Sequence, residues 1–198
     1  MIRDDLSDRL IHLTRGATAD EAAQRFLQIM GTRALLGSDG CIMGQHRCVC
    51  FSEAPIAKLS VILGNPGAHG MRYRPFGVMV SKSWLYSQGG RPVIYQAKEE
   101  YEQLPESHRH RHVTYDPIKG VDFSWEREWR ILSESLPLQV NETTLIVPTR
   151  KWADRLRSDF EGNDLKMSMM IGFKGMRISA FPWHFIALED LGVQVPEQ

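Results

Sequence analysis

The run Trp125-Glu126-Arg127-Glu128-Trp129-Arg130 sets two carboxylates two residues apart among tryptophans and arginines. In an extended strand alternate side chains share a face, so Glu126 and Glu128 would stand together, with Arg130 next along. Paired carboxylates beside aromatic walls suit glycosidic chemistry. One stabilises an oxocarbenium-like centre while the other positions or deprotonates a nucleophile. The competing reading is an exposed strand face with Glu–Arg cross-pairs, which contribute little to stability. A second group is Ile11-His12-Leu13-Thr14-Arg15. Here His12 and Thr14 share a strand face and could hydrogen-bond a sugar edge. A buried His bonded to the backbone fits the same residues.

Two further clusters raise the question of metal. In His108-Arg109-His110-Arg111-His112 a strand would put all three imidazoles on one face. The alternative is a solvated segment beside Glu99, Glu100, Glu102 and Glu106. Cys41, Cys48 and Cys50 are an odd count without CxxC spacing, the pattern of reduced thiols in a cytosolic protein. A zinc site from Cys41, His46, Cys48 and Cys50 matches no familiar ligand spacing. Buried thiols are therefore expected and no metal is assigned. Walker A, GxGxxG, HExxH and GxSxG sequences are absent.

These groups must be carried by regular elements. Apolar alternation predicts strands over 10–14, 47–52, 76–80, 92–95, 125–132, 143–147, 167–173 and 183–188. Thr18-Ala19-Asp20-Glu21 is a capping box, and Ala22, Ala23, Phe26, Leu27 and Met30 follow at helical spacing, so a helix is expected over 19–31. Ser81 is placed to cap a helix over 82–88, and Thr149 one over 150–160. Gly, Asn and Pro across 63–75 predict a loop carrying Arg72, Tyr73 and Arg74. Short strands with helices between them, and no linker or repeat, predict one α+β domain over 1–198 with a mixed, largely antiparallel sheet.

The chain has 198 residues, of which 42% are hydrophobic, enough to exclude a disordered or collagen-like class. Twenty-four Lys and Arg balance 24 Asp and Glu. The balance is uneven along the chain. Residues 54–98 hold Lys58, Arg72, Arg74, Lys82, Arg91 and Lys98 with no acid, whereas 99–198 carry a net charge of −5. The basic stretch reads either as scattered surface cations or as a local anion-binding face, nucleic acid included. No run of 18 apolar residues exists, and the polar start Met1-Ile2-Arg3-Asp4-Asp5 lacks a signal-peptide core. A cytoplasmic protein with no membrane partner is expected.

Several segments together resemble a known family. They are Leu10-Ile11-His12-Leu13-Thr14, Cys50-Phe51-Ser52-Glu53-Ala54-Pro55, Tyr73-Arg74-Pro75-Phe76-Gly77-Val78, Ser81-Lys82-Ser83-Trp84, Gly90-Arg91-Pro92-Val93-Ile94-Tyr95 and Phe123-Ser124 running into Trp125–Arg130. This set resembles bacterial abortive phage resistance proteins, some of them antitoxin-like, over roughly residues 10–132. More distantly it is similar to ADP-ribosyltransferases. That likeness implies an ADP-ribosyltransferase-like fold and NAD as substrate. It also implies a macromolecular acceptor, protein or nucleic acid. By motif order, His12 or Arg15, with Thr14 and Ser52, would hold NAD. Arg72 or Arg74 would meet phosphate. Glu128 would be the catalytic carboxylate, with Glu126 assisting the acceptor. Phe51-Ser52-Glu53 stands where the superfamily has Ser-Thr-Ser. The reading requires His12, Ser52 and Glu128 to converge. The same resemblance also admits a non-enzymatic antitoxin or phage-sensing module.

Overall fold

Strand-type alternation and capped helix starts translate into a layered α+β domain. The structure is a computed structural model and describes residues 7–53, 55, 58–64, 72–170 and 180–193. Its strands are β1 (Arg9–Gly16), β2 (Ala34–Leu36), β3 (Cys48–Ser52), β4 (Arg72–Ser81), β5 (Arg91–Pro92), β6 (Ile94–Gln96), β7 (His112–Thr114), β8 (Glu128–Leu132), β9 (Ser135–Pro137), β10 (Thr143–Val147) and β11 (His184–Ala187). Helices are α1 (Ala19–Thr32), α2 (Leu59–Gly64), α3 (Lys82–Ser87), α4 (Glu106–Arg109) and α5 (Arg150–Met170). Seven strands form one sheet in the order β11-β10-β4-β1-β3-β8-β5, and β2-β9 and β6-β7 form two small sheets. Among the described residues of the large sheet only the β10–β11 pair is parallel.

Alternation along the strands divides the core in two. On one face Leu10, Val49, Phe51, Val78, Trp129, Ile131 and Leu145 pack against Ala22 and Phe26 of α1 and Ala153 and Leu156 of α5. On the other, Ile11, Leu13, Met79 and Ile146 pack against Leu59, Ile62 and Leu63 of α2, with Leu188 and Val193. The Thr18 half of the predicted α1 capping box forms, and the Glu21 half is displaced by one residue, to Ala17 instead of Thr18 itself. Thr18 Oγ1 accepts from the Glu21 amide at 3.2 Å, and the Glu21 carboxylate accepts from the Ala17 amide at 3.0 Å. Ser81 Oγ accepts from Trp84 N at 3.2 Å at the start of α3, and Thr149 Oγ1 from Trp152 N at 3.4 Å at the start of α5.

The sheet has a seam. β1 is laddered to β4 through seven register pairs and β3 to β8 through five. Between β1 and β3 the register holds only at Ile11↔Ser52. The sheet is thus two halves, β11-β10-β4-β1 and β3-β8-β5, joined along one weak line.

Five expectations are corrected. The strand expected over 125–132 starts at Glu128, because Ser124–Glu126 form a 3-10 turn and Arg127 adopts a left-handed φ of 47°. The strand over 92–95 breaks at Val93, where pairing passes from β8 to β7. Residues 72–75, expected in a loop, open β4 and pair with β1; the rest of that loop call includes 65–71, outside the described residues. Met167–Met170 continue α5 instead of forming a strand, and 171–173 lie outside the described residues. His108, His110 and His112 do not share a strand: His108 is in α4, His110 follows it, and His112 opens β7. Nor is the segment solvated throughout, because His110 and His112 are buried.

Candidate functional site

The register pair Ser52↔Glu128 puts two of the expected site residues side by side on the α2 face of the sheet. Glu128 is fixed there by Arg130, whose Nε and Nη2 donate to its two carboxylate oxygens at 2.9 and 3.0 Å. This is a nearly dry, two-pronged ion pair, with side chains 5% and 14% exposed. The third prong of the guanidinium, Nη1, donates to the carbonyls of His110 and His112, both at 3.0 Å. Arg130 therefore ties β8 to the 110–112 segment while holding Glu128 still. Burial opposes its charge, yet the Glu128 carboxylate holds the guanidinium above its usual pKa.

Glu126 reaches the same region by a different route. Ser52 Oγ donates to the Glu126 carbonyl at 2.6 Å, which anchors the turn before β8. The left-handed Arg127 then breaks strand alternation, so Glu126 and Glu128 are not neighbours on one strand face as the sequence suggested. They still feel each other. Burial first, and then the charge of Glu128, push the Glu126 carboxyl up; Arg15 and Arg130 pull it back. The two carboxylates thus differ in kind. Glu128 is clamped, while Glu126 sits in the field of Arg15.

Arg15 is itself placed by Tyr73, its register partner on β4. The guanidinium lies 4.3 Å from the Tyr73 ring centre and donates to its hydroxyl. Burial pushes the Tyr73 phenol up to about 12, so it stays a neutral partner. Tyr95 from β6 completes the frame. Its hydroxyl accepts from the Glu128 amide at 3.3 Å and donates to the Phe123 carbonyl at 3.2 Å. Cys50, on β3 between β1 and β8, is half-buried, and its thiol is pushed well above its usual pKa by burial and then by Glu128. Burial likewise raises Cys48 to about 11. Cys41 is exposed, so the expectation of buried thiols holds in full for Cys48 alone among the three.

The expected nucleotide-holding residues divide between the faces. Ser52, Glu126, Glu128 and Arg15 are brought together. His12 and Thr14 point to the α1 side instead. The His12 ring packs edge-on against Phe51, and Thr14 Oγ1 donates to the Phe76 carbonyl at 3.0 Å within the core. The expected convergence of His12 with Ser52 and Glu128 is therefore not met: His12 lies on the other face, and Arg15 is the β1 residue that shares theirs. Ile11, the residue before His12, is the one paired with Ser52, and His12 Nδ1 lies 2.8 Å from the Cys50 carbonyl across the seam. A carbonyl only accepts, so Nδ1 carries the proton and Nε2 keeps a lone pair. Burial lowers the His12 pKa, which keeps the imidazole neutral.

Two cations of the basic stretch are held at opposite ends of β4. Arg74 donates to the carbonyls of Gly16 and Ala17, at 3.4 and 2.7 Å, at one end of β4. Lys82, just past the other end, pairs with the buried Glu53 at 2.6 Å. Eight residues of strand separate them by about 27 Å. Arg72 opens β4 opposite Gly16. Among the described residues no group of three or more His, Cys, Asp or Glu is placed to hold a metal ion. Also among the described residues, no helix is long and apolar enough to cross a membrane.

Tyr73, Tyr95 and the three-pronged role of Arg130 were not assigned to the site from sequence. The acid-x-acid-x-Arg spacing held the only signal for Arg130. Comparison with protein-family models, with curated proteins and with solved structures returns no match to this chain.

Proposed function

We propose that the chain is an ADP-ribosyltransferase-like phage-defence protein that binds NAD and transfers ADP-ribose to a macromolecular acceptor. The observation that carries this reading is the pairing of a carboxylate clamped by Arg130, Glu128, with a second carboxylate of raised proton affinity, Glu126, which feels the charge of Arg15. The residues suit an anionic dinucleotide. Arg15 offers a guanidinium to a pyrophosphate, and the carboxylates offer acceptors to ribose hydroxyls. Breaking the nicotinamide–ribose bond leaves its electron pair on the nicotinamide and positive charge on the sugar. A carboxylate held in place stabilises that charge without reorganising. The acceptor then attacks C1′ and gives up a proton. Glu126, with its raised pKa, is the better base for it. Geometry thus shifts the weight of the motif: Glu128 positions and stabilises, and Glu126 moves the proton. His12 supports the strand seam from behind.

The test is isotope-labelled NAD incubated with lysate protein, DNA and RNA. Wild type should label an acceptor. Glu126→Gln and Glu128→Ala should each lose about a hundredfold or more in rate. Equal labelling by all three would remove both carboxylates from the mechanism.

A second reading, a non-enzymatic antitoxin or phage-sensing module, is favoured by the internal engagement of the motif residues. Thr14, Ser52 and both oxygens of Glu128 are bonded within the chain. Absence of labelling and of NAD binding by calorimetry, with a stoichiometric protein partner in a pull-down, would establish it.

A further inference from the structure

The outer edge of the smaller half-sheet holds an arrangement the nucleotide reading leaves unused. Arg91 on β5 and Arg111, just before β7, come close enough for the charge of one to act on the other. Neither is neutralised by a carboxylate among the described residues. Arg91 Nη1 donates to the carbonyls of Tyr86 and Gly90 at 2.8 and 2.7 Å, and Arg111 Nε to that of Pro92 at 2.9 Å. Holding two guanidinium groups together costs free energy unless an anion joins them. Carbonyl bonds fix both forks in place and leave other N–H groups to donate.

Beside them is an aromatic surface. The Arg91 guanidinium lies 3.8 Å from the centre of the Tyr86 ring, and Tyr86 is 54% exposed. Tyr86 also lines a groove of about 490 Å³ with Arg9, Ser81, Lys82, Ser83 and Trp129; Asp8 is its acid. Lys82 is held near Trp129 by Glu53, whose two oxygens take Lys82 Nζ at 2.6 Å and Trp129 Nε1 at 2.8 Å. The groove has ample room for a nucleoside, and Arg91 stands beside it against the Tyr86 ring.

We infer that this edge binds a single-stranded polynucleotide, with a base against Tyr86 in the groove and successive phosphates on Arg91 and Arg111. Cations that follow a backbone beside an exposed aromatic platform are what strand recognition without base pairing requires. A duplex is excluded from such contact because its bases are stacked away from the surface. The pair joins Arg91, from the acid-free stretch, to Arg111, from outside it, so the surface is made by the fold.

The experiment is fluorescence anisotropy with labelled twelve-residue oligo-dT and oligo-U, over a salt series, on the full chain. Wild type should bind at 50 mM salt and weaken steeply as salt rises. Arg91→Ala/Arg111→Ala should bind about tenfold more weakly, with the salt slope reduced by about 1.4, the value for two single-strand phosphate contacts. Arg91→Lys/Arg111→Lys should recover most of the slope. Tyr86→Ala should lose affinity and keep the slope. Arg155→Ala/Arg157→Ala on α5 should match wild type. Preference between the two oligomers tells DNA from RNA. Binding of the labelled mononucleotide as tight as the oligomer would overturn the strand reading. So would no binding of either oligomer, or equal binding by wild type and the double alanine variant. NAD plays no part in the readout, so this inference and the transferase reading fail separately.

Discussion

At the residue scale the two carboxylates carry opposite duties. Glu128 gains a bidentate partner and is fixed; Glu126 is pushed toward its neutral form by burial and by Glu128. A carboxyl whose folded pKa is raised makes the ionised fold less stable than it would otherwise be. That penalty is absent at acid pH, where the group is protonated in both states. It grows as pH rises through the unfolded value and is complete above the folded one. Glu126→Gln keeps the shape and removes the charge. It should therefore melt higher than wild type at pH 7, and the gain should vanish near pH 3.5, below the ordinary carboxylate range of about 4.3. Melting curves at the two pH values decide it. An equal gain at both would mean that packing, and not charge, is responsible. On the proposed transferase reading, the substitution that loses activity is one that gains stability, as expected where a site holds a group against its solvation preference.

At the scale of elements, the contact between β1 and β4 depends on one glycine. A Cβ on Gly77 would lie 2.2 Å from the His12 carbonyl oxygen and 3.0 Å from Leu13 Cα, so neither backbone can yield cheaply. Gly77→Ala should cost about 1–3 kcal/mol. A Cβ on Gly31, in α1, would meet nothing within 4 Å among the described residues, and there the same change should add about 0.5–1 kcal/mol through helix propensity. Urea unfolding midpoints moving in opposite directions would verify the pair. Elements such as these were legible in the sequence because local rules fix them: the Thr18 cap, alternation in β1, β3 and β10, and Ser81 before α3. Others were not. No residue type announces the left-handed Arg127, yet it decides where β8 starts and how Glu126 is presented. The apolar run at 167–170 reads equally as strand or helix, and Gly162 and Asn163 hide the continuation of α5. The site was half legible for the same reason. Motif order gave Ser52, Glu126 and Glu128. The assignment of His12 and Thr14 to the opposite face, and the Tyr73–Arg15 stack across 58 residues of chain, come from strand register, which only the folded sheet sets.

For the whole molecule, the seam between β1 and β3 is the dominant feature. One register pair joins two well-laddered halves, and the candidate site lies along that line. Amide hydrogen exchange should therefore show β3 and β8 opening together, ahead of β1, β4 and β10. A ligand bridging Arg15 and Glu126 should slow the opening. Uniform exchange across the sheet would contradict the two-half description. Neutrality acquires a spatial meaning here as well. The charges cancel in sum, while Arg91 and Arg111 are held on neighbouring backbone carbonyls with no carboxylate partner among the described residues.

The brevity of β5 has a consequence for encounters between copies of the chain. An open sheet edge normally invites a second strand to add itself through backbone hydrogen bonds. Here that edge is two residues long, and one of them, Pro92, has no amide hydrogen to give. A foreign strand would find almost no ladder to join. The border of the sheet that faces outward beside Tyr86 is thus guarded against polymerisation by its own poverty of donors. Whatever settles there must be held by side chains.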